Sequence, residues 1–245
     1  MTRRLIAVAL ILALSACSSS KSKKSADQAF LDQVAAQSKE QIMTRADELA
    51  AKKNWPEARK YYSFLADTFP NDPLGRRAAL RVADMFFATK DTEGYTEAEL
   101  RYKDFANRFP SDPNRAYALL MLAKCSLAEN RGPLRDLAPV HQATDSLKQV
   151  VQLFPGSPYA GEAKSLLGQC LNELAMHELL IARYYANVHA WVGARQRLDY
   201  LLANYPDTPA AEQARPLLDK VLHMINPEQY AAPAPAGVTQ APGKH

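Results

Sequence analysis

Apolar residues along this chain recur in steps of three and four, and the same arrangement returns four times. Each copy converges on an aromatic–Pro pair, two small polar residues and a second Pro: Phe69-Pro70-Asn71-Asp72-Pro73, Phe109-Pro110-Ser111-Asp112-Pro113, Phe154-Pro155-Gly156-Ser157-Pro158 and Tyr205-Pro206-Asp207-Thr208-Pro209. Such a phrase stops one helix and starts the next, because Pro cannot continue a helix but is preformed for a first turn. Alanine stands at Ala58, Ala98, Ala143 and Ala194 before the phrase, with Tyr62, Tyr102, Leu147 and Leu198 one turn on. After the phrase come Ala78, Ala118, Ala163 and Ala214, then Val82, Leu122, Leu167 and Leu218, then Met85, Cys125, Cys170 and Val221. These spacings put each set on one helix face. Alanine in every copy marks places where two helices approach too closely for a larger side chain. No segment alternates apolar and polar residues as a strand does, so the pattern predicts an all-α array rather than one catalytic core.

The order of large aromatic, Ala, large residue and Pro resembles the tetratricopeptide (TPR) repeat, most closely at Trp55-Pro56-Glu57-Ala58 and Tyr95-Thr96-Glu97-Ala98. Ala46 and Leu49 fill the small and large positions of the first helix. The resemblance implies a right-handed superhelical array of about five TPR-like helix-turn-helix units. The marker prolines are 40, 45 and 51 residues apart, against a TPR period of about 34. The stretch from aromatic to Pro stays constant, so the extra length falls in the first helix of each repeat or in the turn after it. In the third repeat it predicts a loop at Glu129-Asn130-Arg131-Gly132-Pro133. In the fourth it predicts one long helix with an apolar stripe of Ala163, Leu167, Cys170, Leu174, His177, Ile181, Tyr184 and Val188, able to span more than one layer.

The chain ends carry a different signal. Arg3 and Arg4 precede an apolar run from Leu5 to Leu14, which is too short to span a bilayer, and Leu14-Ser15-Ala16-Cys17 follows. This resembles the cleavage box of bacterial lipoproteins, in which the Cys becomes the first mature residue and carries acyl chains. Residues 1–16 are therefore expected to be a signal peptide and Cys17 the lipidation site. Residues 17–26 follow as a lipidated, flexible tether containing Lys21, Lys23 and Lys24. Residues 27–226 form the array, and 227–245 an Ala/Pro-rich disordered tail. Several acyl chains hold a protein far more firmly than one. Ser18, not Asp, follows the Cys, which by the same resemblance sends the chain to the outer membrane, facing the periplasm.

Candidate chemistry is sparse. His141, His177, His189, His223 and His245 have no ligand-spaced partners, and no HExxH, CxxC, GxSxG, phosphate loop or carboxylate pair stands out. No enzyme activity, cofactor or metal is expected. His177 is expected to be a partly buried, hydrogen-bonded residue of the long helix. Cys125 and Cys170 occupy matching positions on helices about 8–10 Å apart, beyond the roughly 7 Å limit for a disulfide, and are expected to be free buried thiols. The oxidising periplasm keeps a disulfide as the alternative. Trp55, Tyr95 and Trp191 are expected to pack between helices. The formal net charge of +4 does not argue for nucleic acid. Arg76, Arg77 and Arg81 lie off the apolar face, with Arg77 and Arg81 one turn apart. They are either a solvated row or a grip for a peptide carboxylate. Arg183, Arg195 and Arg197 are candidates for docking a protein.

The combined pattern resembles the BamD family of outer-membrane assembly lipoproteins. The closest stretches are Phe154-Pro155-Gly156-Ser157-Pro158-Tyr159-Ala160, Ile181-Ala182-Arg183-Tyr184-Tyr185 and Ala190-Trp191-Val192-Gly193-Ala194-Arg195-Gln196-Arg197-Leu198. The resemblance implies a non-enzymatic scaffold beneath the outer membrane. Its C-terminal repeats would dock the POTRA domains of a BamA-like insertase, alongside other Bam lipoproteins. Its N-terminal repeats would receive unfolded β-barrel precursors. The rival role is a TPR lipoprotein adaptor that coordinates enzymes of peptidoglycan synthesis or hydrolysis.

Overall fold

The computed structural model describes residues 28–130 and 132–226. Every regular element among them is a helix: α1 (28–35), α2 (Lys39–Ala51), α3 (Trp55–Thr68), α4 (Pro73–Phe87), α5 (Thr92–Arg108), α6 (Arg115–Glu129), α7 (Ala138–Leu153), α8 (Ala160–Asn187), α9 (Trp191–Asn204) and α10 (Pro209–Ile225). The all-α, TPR-like array is as expected. The chain divides into two compact units, with the boundary between Thr89 and Lys90.

The four turn phrases have one geometry. Phe69, Phe109, Phe154 and Tyr205 each end a helix with φ between −124° and −135° and ψ between 46° and 65°. Each donates its N–H to the carbonyl four residues back, and its own carbonyl accepts from Asp72, Asp112, Ser157 and Thr208 respectively. The side chains of those four residues then accept from backbone N–H groups two or three residues on, at Leu74, Asn114, Tyr159 and Ala211. One short sequence thus closes a helix C-terminus in every copy, and in the first and fourth its Asp72 and Thr208 also cap the helix that follows. All eight repeat alanines named above are fully buried.

In the N-terminal unit, Ser38 caps α2 in a capping box with Gln41. Ala46, Leu49, Ala58, Tyr62, Ala78 and Val82 interlock in the core of α2, α3 and α4. α1 is a helix that the repeat pattern does not reveal. It closes the unit by setting Val34 into this core and the Phe30 ring edge-on to Tyr61 and Phe64, at 5.1 and 6.0 Å.

In the C-terminal unit, successive helices from α5 to α10 pack as neighbours, and α8 also meets α10. The 28-residue α8 touches α7, α9 and α10, the multi-layer role expected of it. Its buried face differs from the expected stripe. Ala163, Cys170 and Leu174 are buried, but farther along the buried residues are Leu179, Ala182 and Ala186, while Tyr184 and Val188 are 64% and 52% exposed. The stripe as read advances 3.5 residues per turn. A straight helix has 3.6, so the stripe drifts about 20° per heptad and leaves the interface after three heptads. The long connection of the third repeat lies where expected, with Gly132 at φ 95°. It is held to α8 by Asn130, which donates to both carboxylate oxygens of Glu173 at 2.8 Å.

Candidate functional site

Two surfaces gather the candidate residues, one in each compact unit. In the N-terminal unit, Lys53 takes φ 59° and turns the chain sharply out of α2. Trp55 therefore begins α3 at the tip of a hairpin, 44% exposed. It is not packed between helices as expected. Its indole forms one wall of a cleft of about 450 Å³ between α2, α3 and α4, lined also by Asp47, Tyr62, Arg81, Asp84 and Met85. The buried Tyr62 hydroxyl donates to Asp47 Oδ1 at 2.5 Å. Burial first, and then the Asp47 carboxylate, push the phenol far above its ordinary range, so it stays a neutral donor.

Of the arginine row, Arg81 lines this cleft and Arg77 borders it through Asp47, and the row is not a bare positive strip. Arg77 meets Asp47 Oδ2 at 3.4 Å, Arg81 meets Asp84 at 3.6 Å, and Arg76 donates to the Asn71 carbonyl at 2.7 Å. Arg77 and Arg81 keep about half of their side-chain surface exposed. Such exposed pairs contribute only about 0–1 kcal/mol, so the Arg77 and Arg81 guanidinium groups can turn toward an incoming carboxylate at small loss, while Asp47 stays held by Tyr62. The cleft can thus hold an apolar or aromatic group on Trp55 and Met85 and an anionic group on Arg81.

The second surface lies at the end of α8 and along α9. Tyr184, Val188, Val192 and Tyr200 are 64%, 52%, 63% and 49% exposed. Tyr184, Val188 and Val192 flank the α8–α9 turn and make up this face, whereas Tyr200 lies farther along α9 with its ring 6.3 Å from that of Tyr205. Arg183 donates to Gln213 Oε1 at 3.1 Å, and Arg195 pairs with Asp199 one turn away at 3.3 Å. Arg197 reaches Glu178 of α8 at 3.1 Å. Glu178 is only 12% exposed, so this pair ties α9 to α8 as well as bordering the face. The 3.5-residue reading of α8 concealed the face by assigning Tyr184 and Val188 to the core, and the drift of that stripe is the signal that reveals it.

The remaining candidates are structural. His177 Nδ1 makes a 2.5 Å hydrogen bond with the Pro133 carbonyl, which fits the expected partly buried role. Cys125 and Cys170 are buried free thiols. Burial, with smaller contributions from Glu99 and Glu129, pushes the Cys125 thiol up to about 12. No group of three His, Cys, Asp or Glu side chains able to hold a metal occurs among the described residues, and no helix there is long and apolar enough to cross a membrane. The signal peptide, Cys17, the tether and the tail lie outside the described residues.

The family model of the YfiO outer-membrane lipoproteins matches residues 35–233. The chain belongs to that family. It is 28% identical over 180 residues to the outer membrane protein assembly factor BamD of Haemophilus influenzae, covering 69% of this chain and 68% of that protein. It is 27% identical over 242 residues to the BamD of Neisseria gonorrhoeae, covering 95% and 88%. Among solved structures it is similar to a thermophilic TPR protein of Thermus thermophilus at TM-score 0.38 and 17% identity, over 76% of this chain and 99% of that one. That likeness is too distant to argue from, and the repeated hairpins themselves carry the fold. The family resemblance read from the turn phrases and the Tyr184-Tyr185 to Arg197 segment is borne out.

Proposed function

We propose that this chain is a non-enzymatic lipoprotein scaffold for assembling β-barrel proteins into the outer membrane, anchored through acylated Cys17 after removal of residues 1–16 and facing the periplasm. The observation that carries this reading is the family match over most of the chain, to relatives named as outer membrane protein assembly factors. The two surfaces divide the work. The α8–α9 face docks the POTRA region of a BamA-like insertase, with Tyr184, Val188 and Val192 as its apolar centre and Arg183, Arg195 and Arg197 at its border. The Trp55–Arg81 cleft receives segments of unfolded β-barrel precursors, taking an aromatic side chain on the indole and a carboxylate on Arg81. Preformed helical surfaces suit this task because little conformational entropy is lost when they bind. Other Bam lipoproteins join the same complex.

Affinity purification from membranes tests the docking arm. The wild-type chain is expected to recover the insertase. Val192→Asp together with Arg195→Glu, both exposed, should abolish recovery while leaving helicity unchanged. Recovery of peptidoglycan enzymes without the insertase would refute the assignment.

A further inference from the structure

A second cleft, of about 510 Å³, lies wholly within the C-terminal unit, where the start of α5, the end of α6 and the loop into α7 meet. Sequence register relates it to the Trp55 cleft. Tyr95 stands where Trp55 does, 15 residues before the first Pro of its turn phrase. Ala128 stands where Ala88 does, 18 residues after it, and all four residues line their clefts. Tyr95 is half-buried and lines the cavity together with Pro139, rather than packing wholly between helices as expected. The remaining chemistry differs. In place of Met85 and a single arginine, this cleft sets Lys90 and Arg135 against Asp91, Glu129 and Asp136.

These charges are not consumed by one another. Asp91 Oδ1 accepts from the Gly94 N–H at 2.6 Å, and Asp136 Oδ1 from the Ala138 N–H at 2.9 Å. Each carboxylate thus rests on the start of a helix and keeps its Oδ2 for a ligand. Glu129 closes α6 and reaches the Thr96 hydroxyl at 3.4 Å. The exposed side chains of Lys90 and Arg135 have no ion pair or hydrogen bond with any described residue. A purely anionic ligand would meet three carboxylates here, and a purely cationic one would meet two cations, so a ligand of either single sign is disfavoured. A ligand carrying both charges satisfies both sets. The last carbonyls of α6 add a negative end that favours its cationic half. The volume lies within the range of about 300–1,000 Å³ usual for small-ligand sites.

We propose that this cleft binds a short zwitterionic peptide, with its carboxylate on Arg135 and Lys90, its ammonium on Glu129 and Asp136, and an apolar side chain against Tyr95 and Pro139. The site is separate from the two surfaces described above and stands whether or not the chain serves outer-membrane assembly.

Ligand-observed NMR titration of the full chain in detergent tests this with three probes: the dipeptide Ala-Leu, its N-acetyl derivative and its C-terminal amide. Ala-Leu should bind saturably. Blocking either end removes a charged hydrogen bond and should weaken binding by about tenfold or more. Arg135→Glu should weaken Ala-Leu binding to a similar extent, whereas Trp55→Ala, in the other cleft, should leave it unchanged. Arg135 is an exposed loop residue, and Tyr95→Ser reads the same cavity from its aromatic side should the first variant fold poorly. Absence of saturable binding would overturn the proposal. So would equal binding of N-acetyl-Ala-Leu, which would make this an anion site, or Ala-Leu binding unaffected by both Arg135→Glu and Tyr95→Ser, which would put the ligand elsewhere.

Discussion

Gly75 is a position where adding one methyl group should be harmful for a reason visible in the backbone. It lies in the first turn of α4 and is buried. A Cβ built there would stand 2.7 Å from the Phe69 carbonyl carbon and 3.0 Å from the Leu65 oxygen, and closer still to the Phe69 oxygen. None of these atoms belongs to a flexible side chain. The Phe69 carbonyl accepts the turn-closing bond from Asp72, and Leu65 accepts the capping bond from Phe69. Relief therefore requires α4 to move away from α3. That strains the 2.9 Å cap from Leu74 to Asp72 and the Lys39–Asp72 ion pair. Loss of a cap costs about 1 kcal/mol, and overpacking about 1–3 kcal/mol. Alanine's helix preference over glycine returns about 1 kcal/mol. The net expectation for Gly75→Ala is a loss of about 2 kcal/mol, or roughly 4–8 °C in midpoint per kcal/mol for a unit of this size. Gly168 of α8 is the matched control. A Cβ there meets nothing within 4 Å, so Gly168→Ala should gain up to about 1 kcal/mol. Urea and thermal unfolding followed by circular dichroism read both variants. Gly75→Ala at or above wild-type stability would refute the close approach of α4 to the α3–α4 turn.

Other outcomes follow from single residues. Arg115 donates Nε–H to the Ala106 carbonyl at 2.9 Å and stacks over Phe154 at 5.8 Å, so it staples α5 and the turn after α7 to α6. Arg115→Ala should lose about 2 kcal/mol, and Arg115→Lys should recover little of it because an ammonium lacks the planar fork. Asp72 accepts from Lys39 and then from the Leu74 N–H, which together hold its carboxyl below its ordinary 3.8. Its stabilisation is thus complete above that value and lost as pH falls through the lower folded-state value, so Asp72→Asn should flatten the acid limb of a stability–pH profile. Cys125 and Cys170 should resist thiol reagents in the native state and react once urea unfolds the chain. Fast labelling of native protein would contradict their burial.

Much of the fold was legible because the turn phrase states its chemistry in order: an aromatic C-cap, a helix-stopping Pro, an Asp, Ser or Thr whose side chain accepts from the turn's backbone, and a Pro at or just before the start of the next helix. The buried alanines were legible for the same reason, since small residues repeated at fixed offsets report close helix crossings. Three features were not. Lys53, Lys90 and His189 place ordinary side chains at φ near 60°, where glycine would have announced a turn. α1 belongs to no repeat and joins the core through Phe30 and Val34. The exposure of Trp55, Tyr184 and Val188 depends on which neighbours a helix end meets, and periodicity does not encode that. The arginine rows were correctly placed off the core, but the carboxylates paired with Arg77 and Arg197 come from other helices, 30 and 19 residues away in sequence.

The central claim is that this chain serves outer-membrane assembly as a scaffold. Its most direct test is depletion of the chain in living cells, followed by measurement of folded β-barrel proteins in the outer membrane. Folded barrels should fall while their unfolded precursors accumulate in the periplasm, and resupply of the Trp55→Ala, Arg81→Ala double variant should restore them only in part. Normal barrel levels after complete depletion would contradict the account.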